Sequence, residues 1–283
     1  MIRPLSASNQ ISVLCSTGSS GIRLTYADAA EKLFCVPSSH PDVTSHPNAR
    51  PVLIAKGVSK TYGAGHTSVT AVARCDVTLV AAQIVAVVGP SGSGKSTLLH
   101  LLAGLDTPTQ GSVTVAGRDL AAMTEAQAAA WRSREVGFVL QRDNLIPALT
   151  LRENVAAPLL FGGMPRRRGM EQADAILDRV GLLHRAHALP AEVSGGEAQR
   201  AAVARACVSR PILVFADEPT GALDQATGSS VIRLLQEVVR ESGAAAMVVT
   251  HDEHVACLAD RALLIEDGRV VDRRYDGTPA ALR

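Results

Sequence analysis

The run Ile84-Val85-Ala86-Val87-Val88 leads directly into Gly89-Pro90-Ser91-Gly92-Ser93-Gly94-Lys95-Ser96-Thr97, and a mostly apolar, helix-length segment follows. This stretch constrains the fold more than any other in the chain. Five consecutive apolar residues closed by glycine read as a strand buried on both faces. Thr97–Ala103 reads as a helix, with Gly104 as its stop. The glycine, lysine and hydroxyl spacing between them is that of a phosphate-binding loop, found in its required place between strand and helix. The glycines let backbone N–H groups turn inward without a Cβ clash, and those donors, with the helix N-terminus, attract phosphate oxygens. Lys95 would bridge the terminal phosphates, the Ser96 hydroxyl would ligate Mg²⁺ and Thr97 would support the phosphates. A plain Gly-Ser turn capping a helix needs neither the lysine nor the buried strand.

The remaining pattern agrees with an α/β domain. Val52–Lys56 and Val77–Val80 read as strands around a polar loop, and Val136–Leu140 as another. Ile212–Ala216, Ala246–Thr250 and Ala262–Ile265 are further apolar strands, with a long helix expected over Gln225–Ser242. Pro165–Arg168 reads as a solvated Arg-rich loop, followed by helices over Glu171–Val180 and Glu197–Val208. Strands alternating with helices imply a mainly parallel sheet covered on both faces. Residues from about 145 to 200 carry helical patterns only, as an inserted α-helical subdomain would. Residues 1–50 hold the linker-like runs Ser16-Thr17-Gly18-Ser19-Ser20-Gly21 and Pro37-Ser38-Ser39-His40-Pro41, so a disordered N-terminal extension is expected. The domain is expected over 51–275, with 276–283 as a tail.

A net charge of +1 gives no global electrostatic case for nucleic acid, and 3% aromatic residues offer few base-stacking platforms. No apolar run approaches the ~18 residues that span a bilayer. The longest candidate, Val77–Val88, is broken by Thr78 and Gln83. Cys15 follows Leu14, a residue larger than a lipidation site wants. The five cysteines (15, 35, 75, 207, 257) form no CxxC pair, and reduced thiols are the expectation. His251, His254 and Cys257 are close in sequence, but no second His/Cys cluster completes a tetrahedral zinc set.

The strand Ile212–Ala216 ends in Asp217-Glu218. Buried acids at a strand end are costly unless paired or metal-bound. Beside a phosphate loop, Asp217 would reach Mg²⁺ through a water ligand and Glu218 would polarise an attacking water. Between these two motifs lies Ser194-Gly195-Gly196-Glu197, a glycine turn opening a helix, and hence a second anion site. Ser194 would also serve simply as an N-cap.

In this order the motifs resemble those of the ATPase subunits of ATP-binding cassette (ABC) transporters, over about residues 52 to 275. The resemblance implies a RecA-like P-loop core with an antiparallel β subdomain and an α-helical signature subdomain. It implies that Ser194, Gly195, Gly196 and Glu197 bind the γ-phosphate of ATP held by an opposite subunit. Tyr62, in Ser59-Lys60-Thr61-Tyr62-Gly63, resembles the aromatic that stacks on adenine. Gln141 resembles the loop glutamine that senses Mg²⁺ and the transmembrane partner. Asp224, in Gly221-Ala222-Leu223-Asp224, resembles the dimer-contact loop, and His251 resembles the switch histidine at the γ-phosphate. Departures are Val193 for Leu, Glu197 for Gln, Ala222 for Asn, and Ala82-Gln83 for Gly-Glu. None removes a catalytic group. Asn144-Leu145-Ile146-Pro147-Ala148-Leu149-Thr150, then Glu153-Asn154-Val155 and Pro158-Leu159, resembles the lipoprotein-release and macrolide-export branch, and would face the membrane partner.

The implied cofactors are ATP and Mg²⁺. The implied partners are a second copy of the chain and a separate transmembrane permease, with no nucleic acid. The implied location is the cytoplasmic face of the cell membrane. The alternative, a soluble ABC-type ATPase of DNA repair or translation, fits less well. Only about a hundred residues, without heptads, separate Lys95 from Ser194, and there is one phosphate loop. A non-hydrolysing regulatory subunit is disfavoured by the intact Glu218.

Overall fold

Alternation along the central strands sends side chains into two separate cores. In the computed structural model, which describes residues 51–141 and 144–273, β7 (Leu213–Asp217) and β8 (Ala245–Thr250) are buried on both faces. Val214, Ala216, Ala246 and Val248 point into one core. Leu213, Phe215, Met247 and Val249 point into the other. Two apolar faces explain the near-continuous hydrophobic runs. The expected extension over 1–50 and the tail over 276–283 lie outside the described residues, as do Cys15 and Cys35.

These strands belong to a six-stranded sheet of order β10-β9-β3-β8-β7-β6. β3 is Ile84–Val88, β6 Val136–Val139, β9 Arg261–Glu266 and β10 Arg269–Arg273. All neighbours are parallel except β10, which turns back against β9. A second, antiparallel sheet has the order β2-β1-β4-β5, from β1 (Pro51–Tyr62), β2 (Val69–Val80), β4 (Gln110–Val115) and β5 (Arg118–Asp119). β1 and β2 are much longer than the sequence suggests. Their polar residues, read as a loop, occupy the solvated face of strands buried on one side only.

The helices are α1 (Lys95–Leu102), α2 (Glu125–Glu135), α3 (Leu151–Phe161), α4 (Arg166–Arg179), α5 (Gly195–Cys207), α6 (Gln225–Ser242) and α7 (Glu253–Leu258). The expected loop at Pro165–Arg168 is instead the start of α4. Three arginines oppose the helix dipole there. Arg166 and Arg167 pair with Glu153 and Glu171 at 3.1 Å. The helix forms because Met170, Ala173, Ile176 and Leu177 are buried. Much of the segment expected to face a partner is also interior. Asn154 is fully buried, accepting from the Ile146 N–H at 2.6 Å and donating to the Leu149 carbonyl at 2.9 Å. Within 144–150, the exposed residues are Ile146, Pro147 and Ala148.

The departure at Ala82 now has a physical meaning. Its φ is +59°, left-handed backbone, in the turn from β2 into β3. A Cβ in that region costs about 1 kcal/mol or more. Ala82→Gly is expected to raise unfolding free energy by roughly 0.5–1 kcal/mol in urea titration, with no change in the slope.

Candidate functional site

Parallel register brings the site together. β3 pairs with β8 so that Val88 faces Thr250, and β8 pairs with β7 so that Val249 faces Asp217. Gly89, His251 and Glu218 therefore leave neighbouring strands at one edge of the sheet. In open α/β sheets, ligands bind at this carboxyl edge.

Gly89–Gly94 curls from β3 into α1. Gly94 has φ +104°, and a Cβ there would lie 2.1 Å from the Ala71 carbonyl oxygen. A Cβ on Gly89 would lie 2.1 Å from the Ile265 carbonyl oxygen. Both glycines are thus fixed by close backbone approach. Lys95 is buried, and its ammonium donates to the Gly89 and Pro90 carbonyls at 2.9 and 2.7 Å. The N-terminus of α1 has no side-chain cap, leaving its first N–H groups for an anion. The Ser93 hydroxyl is buried with no hydrogen-bond partner among the described residues. A buried orphan is costly, and phosphate oxygens would satisfy it. Pro90, Ser91, Gly92 and Ser96 are exposed, and Thr97 is half-buried.

Glu218 combines three features. Its φ is +47°, an uncommon conformation for a side-chain-bearing residue. The His251 Nδ1 lies 2.8 Å from its Oε1. Its Oε2 is buried and has no hydrogen-bond partner among the described residues. Strain and an unsatisfied polar atom at one residue suggest function rather than structure. Asp217 is half-buried beside it. Gln141 follows β6, and its amide lies against Gly221, where a Cβ would be 2.7 Å from Nε2. Gln141 is thereby held beside the turn after Glu218. Burial pushes the thiols of Cys75 and Cys207 up to about 11 and about 12, so neither is a ready nucleophile.

Ser194 is the N-cap of α5. Its hydroxyl accepts from the Glu197 N–H at 3.3 Å, and Glu197 Oε2 accepts from the Ser194 N–H at 2.8 Å. This reciprocal capping box is preserved by glutamate at 197. Gly195 and Gly196 pack on the start of α6. A Cβ on Gly196 would lie 2.6 Å from Thr227 Cγ2. Asp224 caps that same helix through the Thr227 N–H at 3.0 Å. The turn Ser194–Glu197 and Asp224 thus form one group. Among the described residues, no hydrogen bond joins it to Gly89–Thr97. Tyr62, at the end of β1, is 44% exposed and donates to Asp106 at 2.8 Å. Sequence reasoning missed Asp106, and it also missed Ser93 as a buried orphan, because neither carries a signal apart from its surroundings.

The bonds from the Ser194 N–H and hydroxyl hold the Glu197 carboxyl below its ordinary 4.5. A lowered folded-state value means stability present above 4.5 and lost as pH falls through the folded value. The wild type is therefore expected to lose stability relative to Glu197→Gln as acid is added below that point. Paired urea titrations across the range check it, and parallel curves would contradict it.

The chain matches the family model described as ABC transporter over residues 72–221. It is 43% identical over 217 residues to the lipoprotein-releasing system ATP-binding protein LolD of Shewanella frigidimarina, covering 77% of this chain and 91% of that protein. It is 46% identical over 220 residues to LolD of Pseudomonas fluorescens, covering 78% and 97%. The solved structure of the ATP-binding cassette MJ0796, a dimer in a post-hydrolysis state bound to ADP and Pi, superposes with a TM-score of 0.72 at 35% identity. The match covers 80% of this chain and 100% of that one. The chain belongs to the ABC transporter family, as an ATP-binding and ATP-hydrolysing subunit.

Proposed function

We propose that two copies of the chain close head to tail on two molecules of Mg·ATP, and that closure drives a separate permease that releases lipoproteins from a membrane. The Glu218–His251 pair at the sheet edge is the observation that carries the hydrolytic half of this reading. The lipoprotein-release half rests on the 43–46% identity to LolD proteins. No helix among the described residues is long and apolar enough to cross a membrane. The subunit would sit on the cytoplasmic face through its permease.

Each residue has a chemical part. Phosphate oxygens would take the N–H groups of Gly89–Thr97, the Ser93 hydroxyl and the Lys95 ammonium, which would exchange its loop carbonyls for them. Ser96, Asp217 and Gln141 offer only oxygen donors toward the metal, the set a hard cation such as Mg²⁺ prefers. When bound, Mg²⁺ supplies neutralisation of the phosphate charge. Glu218 would accept the water proton on Oε2, the oxygen without a hydrogen-bond partner among the described residues, while His251 fixes the carboxylate through Oε1. A carboxylate only accepts, so Nδ1 carries a proton. Ser194 and Gly196 would complete the site of the opposite copy, with Gly195 and Glu197 shaping the turn and Asp224 at the contact.

Glu218→Gln is expected to bind ATP like wild type, to lose on the order of a hundredfold or more in hydrolysis, and to accumulate as an ATP-dependent dimer on size exclusion. Wild-type turnover would remove Glu218 from the role of base. The intact chain should also co-purify with a membrane permease, and recovery with ribosomes or DNA would count against transport.

A further inference from the structure

Tyr62 is held by Lys60, its neighbour on β1, and by Asp106, which belongs to none of the motifs. Lys60 and Tyr62 are two apart on β1, so both side chains stand on the same face. The Lys60 ammonium donates to Asp106 Oδ1 at 2.6 Å and to the Thr107 carbonyl at 2.7 Å. The same ammonium lies 5.0 Å from the centre of the Tyr62 ring, within cation–π range. The Tyr62 hydroxyl donates to Asp106 Oδ2 at 2.8 Å. Both oxygens of one carboxylate are therefore used, one on each neighbour.

Asp106 is in turn fixed to α1. It lies in the turn just after that helix, and its N–H bonds the His100 carbonyl at 3.2 Å. The Thr109 N–H bonds the Ser59 carbonyl at 2.8 Å, and the Thr61 N–H bonds the Thr109 hydroxyl at 3.1 Å. The turn that ends α1 is thus stitched to the end of β1. Burial raises the Asp106 carboxyl, but bonds from Lys60, Tyr62 and the Thr107 N–H outweigh it and hold the carboxyl below its ordinary range. It stays ionised at neutral pH, an acceptor only. Burial and Asp106 raise the Tyr62 hydroxyl, while Thr97 of α1 draws it down. Tyr62 thus stands close to the helix that begins with Lys95 and Ser96.

We propose that Asp106 is a positioning residue for the nucleotide: it locks the Tyr62 ring to the phosphate-binding helix, with Lys60 against the ring, so that the ring is presented to a purine base at a fixed distance from the phosphate cradle. This rests on the reading of Tyr62 as the base platform. A ring already locked loses no rotamer freedom when the base arrives, which favours binding. Asp106 contributes to the base end of the site alone.

Calorimetric titration of the full-length chain with Mg·ATP, and separately with inorganic tripolyphosphate, tests the idea. Tyr62→Phe keeps the ring and removes the tether, and Asp106→Ala removes it from the other side. Each is expected to weaken ATP binding roughly three- to tenfold while leaving tripolyphosphate within about twofold of wild type. The double variant should bind ATP no more weakly than Asp106→Ala alone. Unchanged ATP affinity in Tyr62→Phe, or equal losses for the two ligands, would overturn the proposal. Should Asp106→Ala not fold, Tyr62→Phe decides by itself. Tyr62→Ala separates the two readings: wild-type ATP affinity there would remove the base platform itself.

Discussion

Parallel pairing of β3, β8 and β7 is the constraint on which the site depends. A parallel strand must be reached by a crossover, so its neighbours end at the same edge of the sheet. Here that edge collects Gly89, Glu218 and His251 from segments far apart in the chain. The strands can sit in the middle of the sheet because each supplies apolar side chains to both cores. The chemistry is exposed at the edge, and the burial that stabilises it lies directly behind.

Most polar groups near the site are satisfied, so the exceptions stand out. Asn154 makes hydrogen bonds to several backbone groups while fully buried, and Ser194 and Glu197 exchange theirs in a capping box. By contrast, Ser93 Oγ and Glu218 Oε2 are buried without a hydrogen-bond partner among the described residues, and Glu218 also has a positive φ. Such features cost stability and persist where the surroundings enforce them. Both lie where phosphate and water would be handled. The positive φ at Ala82 has no comparable setting and is a cost of the side chain alone.

The strand–loop–helix around Gly89–Gly94, the acidic strand end and the long helix Gln225–Ser242 were legible because each is a local pattern with a local cause. β1 and β2 were cut short because polar residues on a half-solvated strand look like a loop when the partner sheet is unknown. The first turn of α4 was missed because three arginines oppose its dipole, and only tertiary packing of Met170 and Ile176 holds it. The burial of Asn154 was not legible, because its side chain is consumed by the turn before its own helix. The Lys60–Asp106–Tyr62 cluster joins positions more than forty residues apart in sequence, and no spacing rule reaches that far.

Within one chain, the turn Ser194–Glu197 packs with Asp224 at the start of α6, while the loop after β3 shares the sheet edge with Glu218 and His251. This division is what the proposed site, shared between two copies, would require. Mixing two inactive variants, Lys95→Ala and Ser194→Arg, measures it most directly. A mixed dimer would hold one site with both defects and one with neither, so hydrolysis should reappear on mixing, up to roughly a quarter of the wild-type rate for random pairing of two copies. No hydrolysis at any mixing ratio, with each variant folded and the pair shown to associate, would contradict a site built from two subunits.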